Sequence, residues 1–220
     1  MQIFLDSADL ELIKKYADWG IIDGVTTNPS LMAKEGKDPK TVIMEITKLV
    51  DGPISVEVVA EDADTMVKQA KTVSAWHSNI YAKIPMTAEG LKAVKMVTAM
   101  GIKTNVTLIF SVSQAVLAAK AGATLVSPFV GRVDDISGDG MKLVEEIVSA
   151  FNYYGFETKV LAASIRHPRH VVDSIAAGAD IATIPPQLLD KLVKHPLTDN
   201  GLAKFMADWN NCEACQGLYK

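Results

Sequence analysis

The feature that most constrains this chain is a regular alternation of short β-rich runs with longer runs of helical period. The β-like runs are Gln2–Leu5, Gly24–Thr27, Ile54–Val59, Asn79–Pro85, Thr104–Phe110, Thr124–Phe129, Lys159–Ala163 and Ile181–Ile184. Between and after them, apolar residues recur at the spacing of amphipathic helices. This holds over Asp9–Asp18, Lys40–Val50, Asp62–Trp76, Thr87–Met100, Ser111–Ala121, Gly138–Tyr153, His167–Ala177, Gln187–Lys194 and Thr198–Asn210. Alternating β and α units predict a parallel sheet with right-handed crossovers. About eight such units close a (β/α)8 barrel, the TIM-barrel fold of the α/β class, and 220 residues lies near its lower size limit. A doubly wound open sheet is the competing architecture. No strand is followed by Gly-x-Gly-x-x-Gly, which weakens its dinucleotide-binding form. The last run, 198–210, has no strand to follow. Its apolar side (Leu202, Phe205, Met206, Trp209) must cover the barrel or dock on a neighbouring subunit, so a homo-oligomer is one expectation.

At 49% hydrophobic content the chain can bury one sizeable core, and a single domain over 1–220 is the simplest organisation. A formal net charge of -4 argues against nucleic acid or anionic membrane as a main partner. No apolar run reaches the roughly 18 residues of a membrane span. Met1-Gln2-Ile3-Phe4-Leu5-Asp6 starts as a strand and lacks the basic region and apolar core of a signal peptide. Cys212 and Cys215 form a single Cys-x-x-Cys pair, which supplies only two ligands for a structural zinc; two free thiols in a reducing cytoplasm are expected.

The fourth β-like run, Asn79–Pro85, contains one lysine, Lys83. A strand flanked by helices is buried on both faces, where an ammonium is costly unless paired or neutral. Burial pushes a lysine pKa down, and a neutral amine can attack a carbonyl to form a Schiff base. The alternative is a strand-end lysine that snorkels to water. Alternate residues of barrel strands face inward, and functional groups gather at the C-terminal strand ends. With Lys83 inward, Ile80, Ala82 and Ile84 face the helices. The other strands also end in polar residues: Asp6, Asn28, Glu57, Asn105 with Thr107, Ser127, and Ser164 with Arg166. One such ending means nothing; seven around one rim read as a site.

The residue types suit that chemistry. Schiff-base formation needs proton transfers to make and lose water. Glu57 and Thr107, on the strands flanking Lys83, could hold a water that shuttles those protons, although Glu57 could instead be a plain ion-pair partner of Lys83. Asp6 could take a proton from a substrate hydroxyl as a carbon–carbon bond breaks, or could merely cap the helix in Asp6-Ser7-Ala8-Asp9. Asn28 and Asn105 could orient substrate hydroxyls; Asn28-Pro29 is otherwise a turn signal. Arg132, after the sixth strand, and Arg166, with Ser164, would cradle a phosphate through guanidinium forks; surface ion pairing is the other reading. His77, His167, His170 and His195 have no metal-like partners at suitable spacing and read as structural or solvated. Thr87-x-x-Gly90 is a poor capping box.

These residues resemble the transaldolase family, in particular its short subfamily that also includes fructose-6-phosphate aldolases. The resemblance runs in order through Ile3–Asp6, Gly24–Ser30, Ser55–Val58, Lys83–Thr87, Thr104–Ser111, Ser127–Arg132 and Ala162–Arg166. It implies a (β/α)8 barrel with no metal or organic cofactor, and Lys83 as the Schiff-base lysine. It also implies Asp6 as acid/base for cleavage, and Glu57 with Thr107 serving the water. Asn28, Asn105 and Ser127 would contact a dihydroxyacetone unit, with Thr27 and Phe129 also lining the substrate, and Arg132, Ser164 and Arg166 would bind its phosphate. The partners implied are sugar phosphates, with transfer from sedoheptulose 7-phosphate or fructose 6-phosphate to glyceraldehyde 3-phosphate or erythrose 4-phosphate. The assembly implied is a cytoplasmic decamer of two pentameric rings, the C-terminal helix reaching a neighbour. The aldolase relatives carry tyrosine in place of Phe129 and glutamine in place of Glu57; both residues here favour transfer over release of free dihydroxyacetone. A non-enzymatic sugar-phosphate sensor would leave Glu57, Thr107 and Asp6 without a role.

Overall fold

The computed structural model describes residues 1–218. Its elements follow in the order β1 (Gln2–Asp6), α1 (Leu10–Ala17), β2 (Gly24–Thr26), α2 (Pro29–Glu35), α3 (Pro39–Leu49), β3 (Ile54–Glu57), α4 (Ala63–Ser74), β4 (Ile80–Pro85), α5 (Ala88–Thr98), β5 (Thr104–Ile109), α6 (Val112–Ala121), β6 (Leu125–Pro128), α7 (Val130–Asp134), α8 (Gly140–Tyr154), β7 (Lys159–Ala162), α9 (Pro168–Ala176), β8 (Ile181–Ile184), α10 (Pro186–Leu192) and α11 (Pro196–Asn210). The eight strands pair in sequence order, all parallel, and β8 closes on β1. The fold is a (β/α)8 barrel with an additional C-terminal helix.

The helices start where polar side chains satisfy their first free N–H groups. Asp9, Asp38, Asp62, Thr87, Ser111 and Asp139 each accept a hydrogen bond from the following turn. Asp9, not Asp6, therefore caps α1, which leaves Asp6 for other use. Thr87 accepts from the Gly90 N–H and caps α5 despite lacking the acidic half of a capping box. Gly36, Gly122 and Gly155 end their helices in the left-handed conformation, which residues with a Cβ rarely adopt.

Two short helices correct the sequence expectation. Asn28-Pro29 opens α2 instead of making a simple turn: Asn28 Oδ1 accepts from the Leu31 N–H and Pro29 takes the first helical position. Helix α7 directly follows β6 and carries Arg132. At seven and five residues, neither is long enough to display a helical period.

The compact unit Met1–Pro186 contains the whole barrel. Residues two apart on a strand share a face. Phe4, Leu125, Leu161 and Ile181 form one buried apolar cluster inside the cylinder with Ala163, and Tyr81 and Phe129 pack against it. Gly24 is required on β2 because a Cβ there would collide with the Phe4 ring. Two residues further along the same strands stand Asp6, Lys83, Ser127 and Thr183. The interior is thus a hydrophobic lower storey under a polar upper one.

The second unit, Gln187–Lys220, has Leu188 and Leu189 buried on α10. Helix α11 has no buried residue; Leu202, Phe205 and Met206 are exposed in the single chain. The expected free thiols are not found. Cys212 and Cys215 form a disulfide, because the turn after α11 brings their Cα atoms to 5.2 Å, within bridging distance. Among the described residues no helix is long and apolar enough to cross a membrane.

Candidate active site

Strand β4 carries Lys83 between two neighbours in register: Glu57 on β3 and Asn105 on β5 are its Cα partners. Closure of the barrel turns its side chain inward, and Lys83 is only 5% exposed. Nζ lies 3.0 Å from Glu57 Oε2 and donates to the Thr27 carbonyl at 2.9 Å. The lysine does not snorkel to solvent. Its Nζ is paired with a carboxylate.

Thr107, also on β5, is fully buried, and its Oγ1 has no hydrogen-bond partner among the described residues. An orphaned buried hydroxyl is costly and calls for a role. The β5–β6 ladder shifts register between Val106 and Ile109, and Leu108 adopts φ 62° within the irregularity. A β-bulge re-aims side chains. Leu108 here joins Glu57, Lys83, Phe129 and Arg132 around a lobe of about 370 Å³.

Across the barrel, Asp6 Oδ1 accepts from the Thr26 hydroxyl at 2.9 Å, and Thr26 Oγ1 lies 2.6 Å from Thr183 Oγ1. Burial pushes the Asp6 carboxyl above its ordinary range. The charge of Lys83 and the Thr26 hydrogen bond oppose that rise, and Glu57 adds to it. A third network joins Ser55, Asn105 and Ser127: the Asn105 amide donates to Ser55 Oγ at 3.0 Å and accepts from Ser127 at 2.6 Å.

Asp6, Asn28, Lys83, Ser127, Phe129, Arg132, Ser164 and Arg166 surround one cavity of about 170 Å³ with Thr26 and Thr183. Asn28 spends its carbonyl oxygen on the α2 cap, and its side chain also lines the adjoining lobe. Phe129 packs on the apolar cluster and stands edge-on to Phe110, with the Arg132 guanidinium 4.9 Å from its ring centre. Ser164 sits at φ 58° and its carbonyl accepts from Gly131. Arg166 pairs with Asp135 at 2.9 Å. Glu57, Asn105, Thr107 and Thr27 do not line this cavity; the Thr27 hydroxyl donates to the Ser55 carbonyl, and its own carbonyl accepts from Lys83.

Thr26, Ser55 and Thr183 are absent from the residues singled out by sequence, although the same inward parity marks them. Two of the histidines lie close to an acid. Ligand atoms of Asp134, His167 and His170 lie within 4.8 Å of one another, a grouping no sequence spacing reveals. His170 is buried, with Nε2 2.8 Å from Asp134 and Nδ1 receiving the Arg166 N–H at 3.2 Å.

Barrels of this construction place their chemistry at the C-terminal rim, and the polar storey occupies that rim. By fold and by site this is a (β/α)8-barrel enzyme. The family model described as transaldolase/fructose-6-phosphate aldolase matches residues 3–215. A "Probable transaldolase" of Methanococcus maripaludis is 59% identical over 209 residues, covering 95% of this chain and 97% of that one. Another, of Lactiplantibacillus plantarum, is 56% identical over 216 residues, covering 98% and 100%. Among solved structures, a mandelate oxidase superposes with a TM-score of 0.56 at 14% identity, over 84% of this chain and 63% of the oxidase, a likeness of fold alone. The chain belongs to the transaldolase/fructose-6-phosphate aldolase family.

Proposed function

We propose that this enzyme is a transaldolase that moves a dihydroxyacetone unit from a ketose phosphate to an aldose phosphate through a Schiff base on Lys83. The observation that carries this reading is the buried Lys83 Nζ, 3.0 Å from Glu57 inside a closed barrel. Glu57 takes a proton from Nζ, and the free amine adds to the C2 carbonyl of the ketose. The resulting carbinolamine loses water to give an iminium ion. Thr107, whose hydroxyl has no other partner, holds the water through which Glu57 returns and collects protons. Asp6 removes the C4 hydroxyl proton, the C3–C4 bond breaks, an aldose leaves, and its electron pair remains as an enamine on Lys83. The enamine adds to the carbonyl carbon of an acceptor aldehyde. Asp6 returns its proton to the new hydroxyl, and hydrolysis frees the amine. An acid with a raised pKa suits this exchange better than a fully solvated aspartate.

Arg132, Ser164 and Arg166 face the substrate phosphate at one end of the cavity, while Asn28 and Ser127 orient hydroxyls. Asn105 acts by fixing Ser127. Transfer is favoured over release because Phe129 lines the cavity and has no hydroxyl to protonate the enamine, which therefore waits for an aldehyde. The exposed apolar face of α11 supports a homo-oligomer, a decamer by family resemblance.

Borohydride reduction with fructose 6-phosphate, followed by peptide mass mapping, tests the mechanism. The adduct is expected on Lys83; an adduct on another lysine, or none, defeats it. With fructose 6-phosphate alone, little free dihydroxyacetone is expected; adding erythrose 4-phosphate should yield sedoheptulose 7-phosphate and glyceraldehyde 3-phosphate, still without free dihydroxyacetone. Brisk release without acceptor would establish the aldolase instead. Phe129→Tyr should raise the acceptor-free release.

A further inference from the structure

The two arginines of the phosphate grip stand on separate, irregular pieces of backbone. Arg132 lies on α7, five residues long and without a side-chain cap. Arg166 lies in the segment between β7 and α9. A two-pronged anion grip works only if the prongs keep their spacing, and a helix this short has little stability of its own.

Backbone bonds make part of the connection: Val130 N–H donates to the Ala163 carbonyl and Gly131 N–H to that of Ser164. The Arg166–Asp135 ion pair adds a link at the end of α7, and a further one runs through a single imidazole. His170 Nδ1 accepts the backbone N–H of Arg166 at 3.2 Å, so the ring proton sits on Nε2 and is donated to Asp134 at 2.8 Å. The other Asp134 oxygen accepts the Gly140 N–H at 2.8 Å, fixing the end of α7 to the start of α8. The Arg166 side chain crosses Gly131 so closely that a Cβ there would strike its Cγ and Nε. Burial and the adjacent His167 hold His170 below the usual histidine pKa, which keeps Nδ1 free to accept.

We propose that His170 and Asp134 are positioning residues of the phosphate site: together they lock the Arg132 helix to the Arg166 segment and set the span between the two guanidinium groups. The proposal rests on the phosphate reading of those arginines given above. A divalent metal on Asp134, His167 and His170 is the competing use. It would need the His170 proton on Nδ1, directly against the Arg166 N–H, and it would remove the Nε2–Asp134 bond. The observed hydrogen bonds therefore favour the brace.

The test compares His170→Gln, His170→Asn and Asp134→Ala with Arg166→Ala. The readouts are KM and kcat for fructose 6-phosphate, inhibition by inorganic phosphate, and borohydride trapping of unphosphorylated dihydroxyacetone on Lys83. Misplacing a gripping group by about 1 Å costs up to about 100-fold. KM for fructose 6-phosphate and the inhibition constant of phosphate should rise about 10-fold in each brace variant, with kcat and dihydroxyacetone trapping near wild type. Asp134 is half-exposed, so its alanine variant leaves no core cavity should the His170 variants fold poorly. If Arg166→Ala leaves KM for fructose 6-phosphate unchanged, the phosphate reading fails and the brace with it. If Arg166→Ala raises KM but the brace variants do not, or if they depress phosphorylated and unphosphorylated reactions equally, the brace alone is overturned. A KM that responds to EDTA or added Zn2+ would assign the three side chains to a metal and also overturn it.

Discussion

The two storeys of the barrel interior come from the same strands and obey different rules. Phe4 and Asp6, Tyr81 and Lys83, Leu125 and Ser127, Ile181 and Thr183 are pairs on one face of one strand, two residues apart. The lower members bury hydrocarbon against hydrocarbon in one cluster. The upper members accept conditions that folding alone would avoid. Asp6 is held in surroundings that disfavour its charge, Thr107 keeps an unpartnered hydroxyl, and Leu108 and Ser164 sit in the left-handed region. The unpartnered hydroxyl and each left-handed residue cost on the order of 1–3 kcal/mol. The lower storey supplies stability, and the upper one spends some of it on placing reactive groups.

Substitutions in the two storeys should therefore fail in opposite ways. Lys83→Met has the largest expected effect: loss of the nucleophile lowers kcat by on the order of 10⁶-fold. The borohydride adduct disappears while circular dichroism still reports a folded barrel. Asp6→Asn should lower kcat by about 10²–10⁴-fold and raise stability at neutral pH. Because the folded-state pKa of Asp6 is raised, its contribution to stability is fully present below 3.8 and is lost as pH rises through the folded value. The asparagine variant escapes that loss, so its advantage in urea midpoint should shrink as the pH is lowered towards 3.8. A variant less stable than wild type at neutral pH would contradict the contrast.

In the lower storey, Phe4→Ala should cost about 3–5 kcal/mol in urea unfolding, with KM for the molecules that remain folded little changed. The smallest effect is expected of Thr183→Val. It removes the 2.6 Å contact to Thr26 and should cost about 0.5–1.5 kcal/mol with an unchanged m-value. If that variant instead abolishes turnover, Thr183 belongs among the reacting groups and not their supports.

Much of this was legible in advance. The strand ends agree with the sequence periodicity to within one or two residues, since a period of two and a period of 3.6 are local properties. Inward parity located Asp6, Glu57, Lys83, Asn105, Thr107 and Ser127 from the chain alone. Helices α2 and α7 escaped because fewer than two turns show no period, although Asn28-Pro29 was itself a cap followed by a first-turn proline. Thr183 escaped because the eighth strand ends in an isoleucine and its polar residue lies one position earlier.

Sequence by itself determined which segments are strands, which side chains share a face, and that a polar rim would surround one lysine. It could do so because alternation and capping depend only on near neighbours. Tertiary structure decided the rest. Closure brought Thr26 against Thr183, 157 positions away, and the packing of α7 against the β7–α9 segment brought Asp134 to His170. Those contacts depend on how eight strands tilt and close, and that is a property of the whole cylinder that no short stretch of chain encodes.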